Sequence, residues 1–146
     1  MNIRKAKPED LESIVQLLHD DILGSTREEI KVDEYQSAFH ELLENDYFDV
    51  FVMEQKGEII GCYQNMYLPH LSFKGSSRAQ IESVRVRSDK RRQGLGTQLI
   101  RHSIEKGRER GCGIFQLTSN KERTKANQFY GKLGLKASHD GYKLYY

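Results

Sequence analysis

The stretch Val84-Arg85-Val86-Arg87-Ser88-Asp89-Lys90-Arg91-Arg92-Gln93-Gly94-Leu95-Gly96-Thr97 decides how this chain folds. It begins inside Ala79–Val86 (AQIESVRV), a β-branched run that reads as a strand. It ends where Leu95, Leu99, Ile100 and Ile104 take up helical spacing, in a helix over Leu95–Arg110 that Gly111 caps. Between strand and helix lie three cationic residues, Lys90 to Arg92, and a Gly-x-Gly turn. A glycine turn at that junction lets backbone N–H groups close on a phosphate, and the helix N-terminus adds a favourable dipole. A P-loop is excluded, because Gly96 is followed by Thr97 and Gln98 and not by Lys and Ser or Thr. A dinucleotide fingerprint is excluded too, because Leu99 stands where its third glycine belongs. A lone Gly-x-Gly also serves plain turns; its placement and the preceding cations favour an anion site.

Upstream, Ile3–Ala6 reads as a short strand, and Pro8-Glu9-Asp10 opens a helix with proline and acids in its first turn. Leu11, Ile14, Val15, Leu18 and Ile22 carry that helix to near Gly24. A second amphipathic helix is expected over Glu28–Glu44, carried by Ile30, Tyr35, Phe39, Leu42 and Leu43. Phe48–Glu54 and Ile59–Leu68 read as strands joined by the turn Gln55–Glu58, and a polar loop, Pro69–Ser77, follows. Downstream come a strand at Ile114–Thr118, a helix at Thr124–Leu133 and a last pair of strands from Gly134-Leu135 to Tyr142–Tyr146. The order βααβββαβαββ predicts an α/β fold around a mixed sheet, and no repeat or linker divides residues 1–146, so one domain is expected.

Charge is unevenly distributed along the 146 residues. Residues 1–73 carry 6 Lys and Arg against 15 Asp and Glu; residues 74–146 carry 17 against 6. Such a split suits either a nucleic-acid surface or a site where an anion meets a cation, and two merely solvated faces would give the same split. No apolar run approaches the ~18–20 residues of a membrane span, and Met1–Lys5 lacks a signal-peptide core. Cys62 and Cys112 form no CxxC pair and read as buried apolar residues of a reduced, cytoplasmic protein. Histidines 19, 40, 70, 102 and 139 show no ligand spacing, so no metal site is expected, and His19, His40 and His102 are placed on helix surfaces. Tyr142, Tyr145 and Tyr146 read as core or edge-strand residues. Ser138-His139-Asp140 is rejected as a triad, because neighbouring strand residues point to opposite faces.

The run Val84–Gly96 resembles the Arg/Gln-x-x-Gly-x-Gly/Ala motif of the GCN5-related N-acetyltransferases. The likeness extends over nearly the whole chain in the family's order. It includes the first strand and Asp-Leu helix, the strand at Ile114–Thr118, and Ala126-Asn127-Gln128-Phe129-Tyr130 before Gly131-Lys132-Leu133-Gly134-Leu135. The sequence departs from the family at Ser88, where proline is frequent, and at Leu135, where phenylalanine is frequent.

The resemblance implies a central, mostly antiparallel mixed sheet flanked by about four helices. The sheet would be splayed between its fourth and fifth strands, Ala79–Val86 and Ile114–Thr118, with acetyl-CoA in the opening. It implies that backbone groups of Val84 and Val86, flanking Arg85, pair with the pantetheine amides, and that the N–H near Val84 faces the thioester carbonyl. Arg91, Arg92, Gln93, Gly94, Leu95, Gly96 and Thr97 would hold the pyrophosphate. Asn120 and Asn127 would reach the cofactor, and Tyr130 would protonate the departing thiolate. Glu82, two residues before Val84 and so counted on the same strand face, is the candidate base; a salt bridge is its alternative use. His70 and His139 fall where the family binds its acceptor. The expected reaction is acetyl transfer to a primary amine of a small molecule, cationic or aminophosphonate-like, by direct attack in a ternary complex. The acidic half would attract the amine, no nucleic-acid or membrane partner is expected, and a homodimer is possible for this fold. Peptide or protein amines are the alternative acceptor. Two non-enzymatic readings compete with the enzymatic one. A nucleic-acid module would use Arg85–Arg92, where five of eight residues are basic, but aromatic interleaving and a recognition helix are missing. A silent acyl-CoA-binding regulator would have no use for Tyr130 and Glu82.

Overall fold

The computed structural model describes residues 1–20 and 31–146. The expected passage of the first helix through Ile22 to Gly24, and the start of the second at Glu28, lie outside the described residues. The chain divides into two units, Met1–Gln116 and Leu117–Tyr146.

The first unit is a five-stranded sheet in sequential order: β1 (Asn2–Lys5), β2 (Phe48–Gln55), β3 (Glu58–Leu68), β4 (Arg78–Val86) and β5 (Ile114–Gln116). β1 to β4 pair antiparallel, and β5 adds in parallel to β4. The β2–β3 hairpin closes in two residues, Lys56 and Gly57, both at positive φ (52° and 80°), the turn geometry that matches strand twist. Alternation along β3 sets the two faces. Tyr63, Asn65 and Tyr67 are buried on one face, while Gln64, Met66 and Leu68 on the other stay half-exposed.

Helices α1 (Leu11–His19) and α2 (Asp33–Glu44) cover one face, where Leu11, Ile14, Val15, Leu17 and Phe39 pack with Val50, Val52 and Cys62. The crossover helix α4 (Leu95–Glu109) covers the other. Its buried stripe runs through Leu95, Leu99, Ile100, Ser103 and Gly107. The spacing predicted the first three; Ile104, expected to join them, is only half-buried, and Ser103 and Gly107 continue the contact instead. Ser103 Oγ donates to Asn65 Oδ1 (2.5 Å), so two fully buried polar side chains satisfy each other. His102, expected on the surface, is half-buried with Tyr63 Oη 2.6 Å from its Nδ1, and burial holds its pKa below the usual value.

Gly107 sits where α4 touches β4. A Cβ there would lie 2.7 Å from the Ala79 Cβ. Alanine is the better helix former by about 1 kcal/mol, yet Gly107→Ala is expected to destabilise the protein by about 1–3 kcal/mol through overpacking. A lowered urea midpoint would show it.

At the β1–α1 corner Arg4 grips Asp10 with two bonds (2.6 and 3.0 Å) and Glu54 with a third (3.0 Å). The Lys7 N–H also donates to Asp10 (2.7 Å). The Arg4 hydrogen bond, more than the backbone donor, holds the Asp10 carboxyl below its usual pKa. A depressed carboxyl stabilises the fold fully above its unfolded-state value, ~3.9, and loses that contribution as pH falls through the folded value. Asp10→Asn should therefore cost about 3 kcal/mol at pH 7 and progressively less below pH ~4, measured by urea unfolding at each pH.

The second unit contains α5 (Thr124–Lys132), and residues 133–146 form no strand. This corrects the expected last pair of strands. Among the described residues the segment pairs with no strand, and a strand without a partner gains no inter-strand hydrogen bonds. Tyr142, Tyr145 and Tyr146 are accordingly exposed and not core residues.

Candidate active site

The β4–β5 ladder is short. Arg78 pairs with Ile114, Ala79 with Phe115 and Gln80 with Gln116, and there it stops. β4 runs on to Val86, past its last β5 partner. On its other edge, β4 is bulged. Gly61 and Cys62 face Val86 and Arg85, whereas Gln64 faces Glu82, so Ser83 and Val84 together oppose the single residue Tyr63. Ser83 adopts φ +53°, a left-handed conformation that non-glycine residues seldom take. A bulge leaves one backbone group outside the ladder and kinks the strand, which aims Val84 differently from a regular neighbour.

The bulge corrects the count that put Glu82 and Val84 on one face. Glu82 shares the face of its partner Gln64 and, through Cys62, of Arg85. Val84 lies at the extra position. The Val84 carbonyl accepts from Arg85 Nη1 (3.0 Å) and the Val86 carbonyl from Arg91 Nε (3.0 Å). Each keeps a second lone pair.

After β4 a 3-10 turn, Ser88–Lys90, leads into the glycine loop. Arg92 (φ +63°) and Gly94 (φ +78°) are both left-handed, which turns the chain sharply before α4 begins at Leu95. The leading N–H groups of a helix have no intrahelical acceptor, and among the described residues those of Arg92 to Thr97 donate to none. A Cβ on Gly94 would meet nothing within 4 Å. The loop therefore offers donors beside open space, which fits a pyrophosphate.

Arg91 also ties the loop to the rest of the first unit. Its guanidinium bonds the Val86 carbonyl and the Asp20 carbonyl (2.7 Å), tying the loop to the end of α1. The Ser88 N–H donates to Asp20 Oδ2 (2.5 Å). A proline at position 88 would have no such donor, so the departure at Ser88 matches a tether that needs the N–H.

Glu82 is half-buried and accepts from Gln80 Nε2 (2.8 Å). His70, in the loop before β4, has a buried Nδ1 with no hydrogen-bond partner among the described residues. Cys62 is buried, and burial pushes its thiol up to about 12, far from a reactive thiolate.

In the second unit, Asn120 caps a local turn, its Oδ1 accepting from the Glu122 N–H (2.9 Å). Asn127, exposed on α5, reaches back to the Asn120 carbonyl (3.4 Å). Tyr130 is half-buried against Phe129, ring centroids 5.4 Å apart. His139 does contact Ser138 Oγ (2.8 Å at Nδ1), against the expectation, because the segment is irregular and not a strand. Asp140 pairs instead with Lys121 (2.9 Å), so no triad forms.

The sequence matches the Acetyltransferase (GNAT) family over residues 11–135. The chain belongs to that family. It is 26% identical over 140 residues to the aminoalkylphosphonate N-acetyltransferase of Salmonella typhimurium, covering 94% of this chain and 86% of that one. It is 29% identical over 99 residues to a Bacillus subtilis protein proposed to be a ribosomal-protein bS18 alanine N-acetyltransferase, covering 68% of this chain and 61% of that one. Among solved structures, a transcriptional regulator from Bacillus halodurans C-125 is 42% identical, with TM-score 0.94 over 99% of both chains.

Sequence reasoning missed three features. The Ser83 bulge and the Arg91 tether carry no local signal. The polar alternation Arg78-x-Gln80-x-Glu82 was visible, and it places three side chains on one face of β4.

Proposed function

We propose that this protein transfers the acetyl group of acetyl-CoA to a primary amine of a small molecule, by direct attack of the amine in a ternary complex. The observation that carries the reading is a strand edge with no β5 partner beyond Gln80, running into a glycine loop with left-handed Arg92 and Gly94 whose N–H groups have no acceptor among the described residues. Acetyl-CoA supplies the activated acyl group as a thioester. Arg92 to Thr97 bind the pyrophosphate through their backbone. Val84 and Val86 align the pantetheine arm with backbone groups, and the N–H at the bulge stabilises charge on the carbonyl oxygen as the amine adds. Glu82 takes a proton from the amine, directly or through water. The new C–N bond forms, the C–S bond breaks, and Tyr130 gives its proton to the sulfur. Asn120 and Asn127 border the cofactor; His70 and His139 contact the acceptor.

Likeness to the phosphonate enzyme supports a small amine bearing an anionic group. Likeness to the ribosomal-protein relative supports a peptide amine as the second reading. Release of free CoA thiol across a panel holding both classes separates them. Residues 1–146 act as one domain, in the cytoplasm, in this reading. The exposed Tyr142, Leu144, Tyr145 and Tyr146 further support a homodimer in which a second copy covers them, and light scattering that reports a monomer would refute it.

Gly94→Val tests the cofactor loop. Its side chain would enter the space left for the phosphates, and a β-branched residue disfavours the left-handed backbone there. Acetyl-CoA binding by calorimetry should weaken at least tenfold in a folded variant; unchanged affinity would remove the loop from the site.

A further inference from the structure

Four polar side chains on β4 and β5 are joined in an unbroken line. Arg78 Nη1 donates to Gln116 Oε1 (3.2 Å), Gln116 Nε2 to Gln80 Oε1 (2.8 Å), and Gln80 Nε2 to Glu82 Oε1 (2.8 Å). The arrangement follows from the strands. Arg78, Gln80 and Glu82 alternate along β4, and Gln116 is the register partner of Gln80 in β5. All four are half-buried.

We propose that Arg78, Gln116 and Gln80 form a one-way hydrogen-bond relay that positions Glu82 as the proton acceptor. The inference rests on the reading of Glu82 as the base. The relay's direction comes from chemistry at its first link. A guanidinium only donates, whereas an amide can present either its oxygen or its nitrogen. Arg78 therefore draws the Gln116 oxygen toward itself and turns the Gln116 nitrogen toward Gln80. Gln80 then meets that donor with its own oxygen and turns its nitrogen toward Glu82. Were the first link absent, Gln80 could rotate and set a carbonyl oxygen against the carboxylate. The Phe73 ring packs over the Arg78 guanidinium, 5.7 Å from Cζ to the ring centroid. Phe73, Lys74 and Gly75 are all left-handed (φ 53°, 58° and 77°) in the short turn α3 (Ser72–Gly75). A strained loop thus covers the fixed end of the relay, and the other end is the base.

A plain staple between β4 and β5 would use the same bonds, but a staple has no preferred direction. Gln116→Glu separates the two roles. A carboxylate at position 116 still accepts from Arg78, but it can only accept from Gln80 as well. Gln80 must then donate to it and present its oxygen to Glu82. A staple would be kept or strengthened. A positioning relay would be reversed.

The expected result is that Gln116→Glu keeps its thermal midpoint and its KM for acetyl-CoA while kcat falls about tenfold. In a Glu82→Gln background the same substitution should cost nothing further, since no carboxylate remains to be positioned. In the free protein, Arg78→Met should shift the side-chain amide resonances of Gln80, two links away. Unchanged Gln80 resonances, or wild-type kcat in Gln116→Glu, would overturn the relay while an impaired Glu82→Gln keeps the base. Wild-type turnover in Glu82→Gln alone would overturn the base reading, and the relay's role with it.

Discussion

Glu82→Gln is expected to lower kcat by about 10²–10⁴-fold, the usual contribution of a general base. The substitution preserves size and can still accept from Gln80, so the local bonding at 2.8 Å is retained and only the capacity to take a proton is lost. A primary amine is mostly protonated near neutral pH, so the deficit should widen toward low pH, where free amine is scarcest. Acetyl-CoA affinity should not change, because the pyrophosphate is assigned to backbone N–H groups of Arg92 to Thr97 and not to Glu82. Steady-state kinetics across pH 6–9 with calorimetry of acetyl-CoA binding would check both halves. A pH–rate profile identical to wild type would take Glu82 out of the mechanism.

Which features around Glu82 could be read from sequence is a matter of which signals are local. The strand, glycine loop and helix from Ala79 to Arg110 were legible because apolar spacing, a basic run and two glycines occur within one stretch. The β2–β3 turn was legible because Gly57 supplies one of the two positive φ values it needs. Ser83 gives no such signal. Left-handed residues are usually Gly, Asn or Asp, and a serine reads as one more step of the alternation. That single unseen step moved Glu82 off the face of Val84. Arg91 shows a different limit. It stands in a basic run beside a glycine loop, yet its guanidinium goes to Asp20, 71 positions earlier. Position in sequence identified the cation but not its partner.

The C-terminal stretch marks the same boundary from another side. Tyr142, Leu144, Tyr145 and Tyr146 give it strand propensity, which is only half of what a paired strand requires. A helix carries its own backbone partners, which is why α5 formed where spacing placed it, at Thr124–Lys132. A strand borrows them from elsewhere.

Tyr130→Phe should leave the fold and acetyl-CoA affinity intact while lowering kcat by about 10²–10⁴-fold. The ring packs against Phe129, and the Tyr130 carbonyl receives the N–H groups of Leu133 (3.1 Å) and Leu135 (3.2 Å) at the end of α5. Phenylalanine keeps all of this. What it removes is a hydroxyl that, among the described residues, has no hydrogen-bond partner, so no protein bond is broken by its loss. Asn127 and Tyr130 are three apart and share one face of α5, so the group assigned to the pantetheine arm and the group assigned to the sulfur project together. A proton donor helps the leaving thiolate only while the thiolate is the poorer species to release. With a thiol pKa of ~8.5, the deficit should be largest near neutral pH and should shrink as pH rises past that value. A loss of kcat at saturating amine and acetyl-CoA that fades above pH ~8.5 identifies the hydroxyl as the acid. A wild-type rate at pH 7 would assign the ring to packing alone and the proton to water.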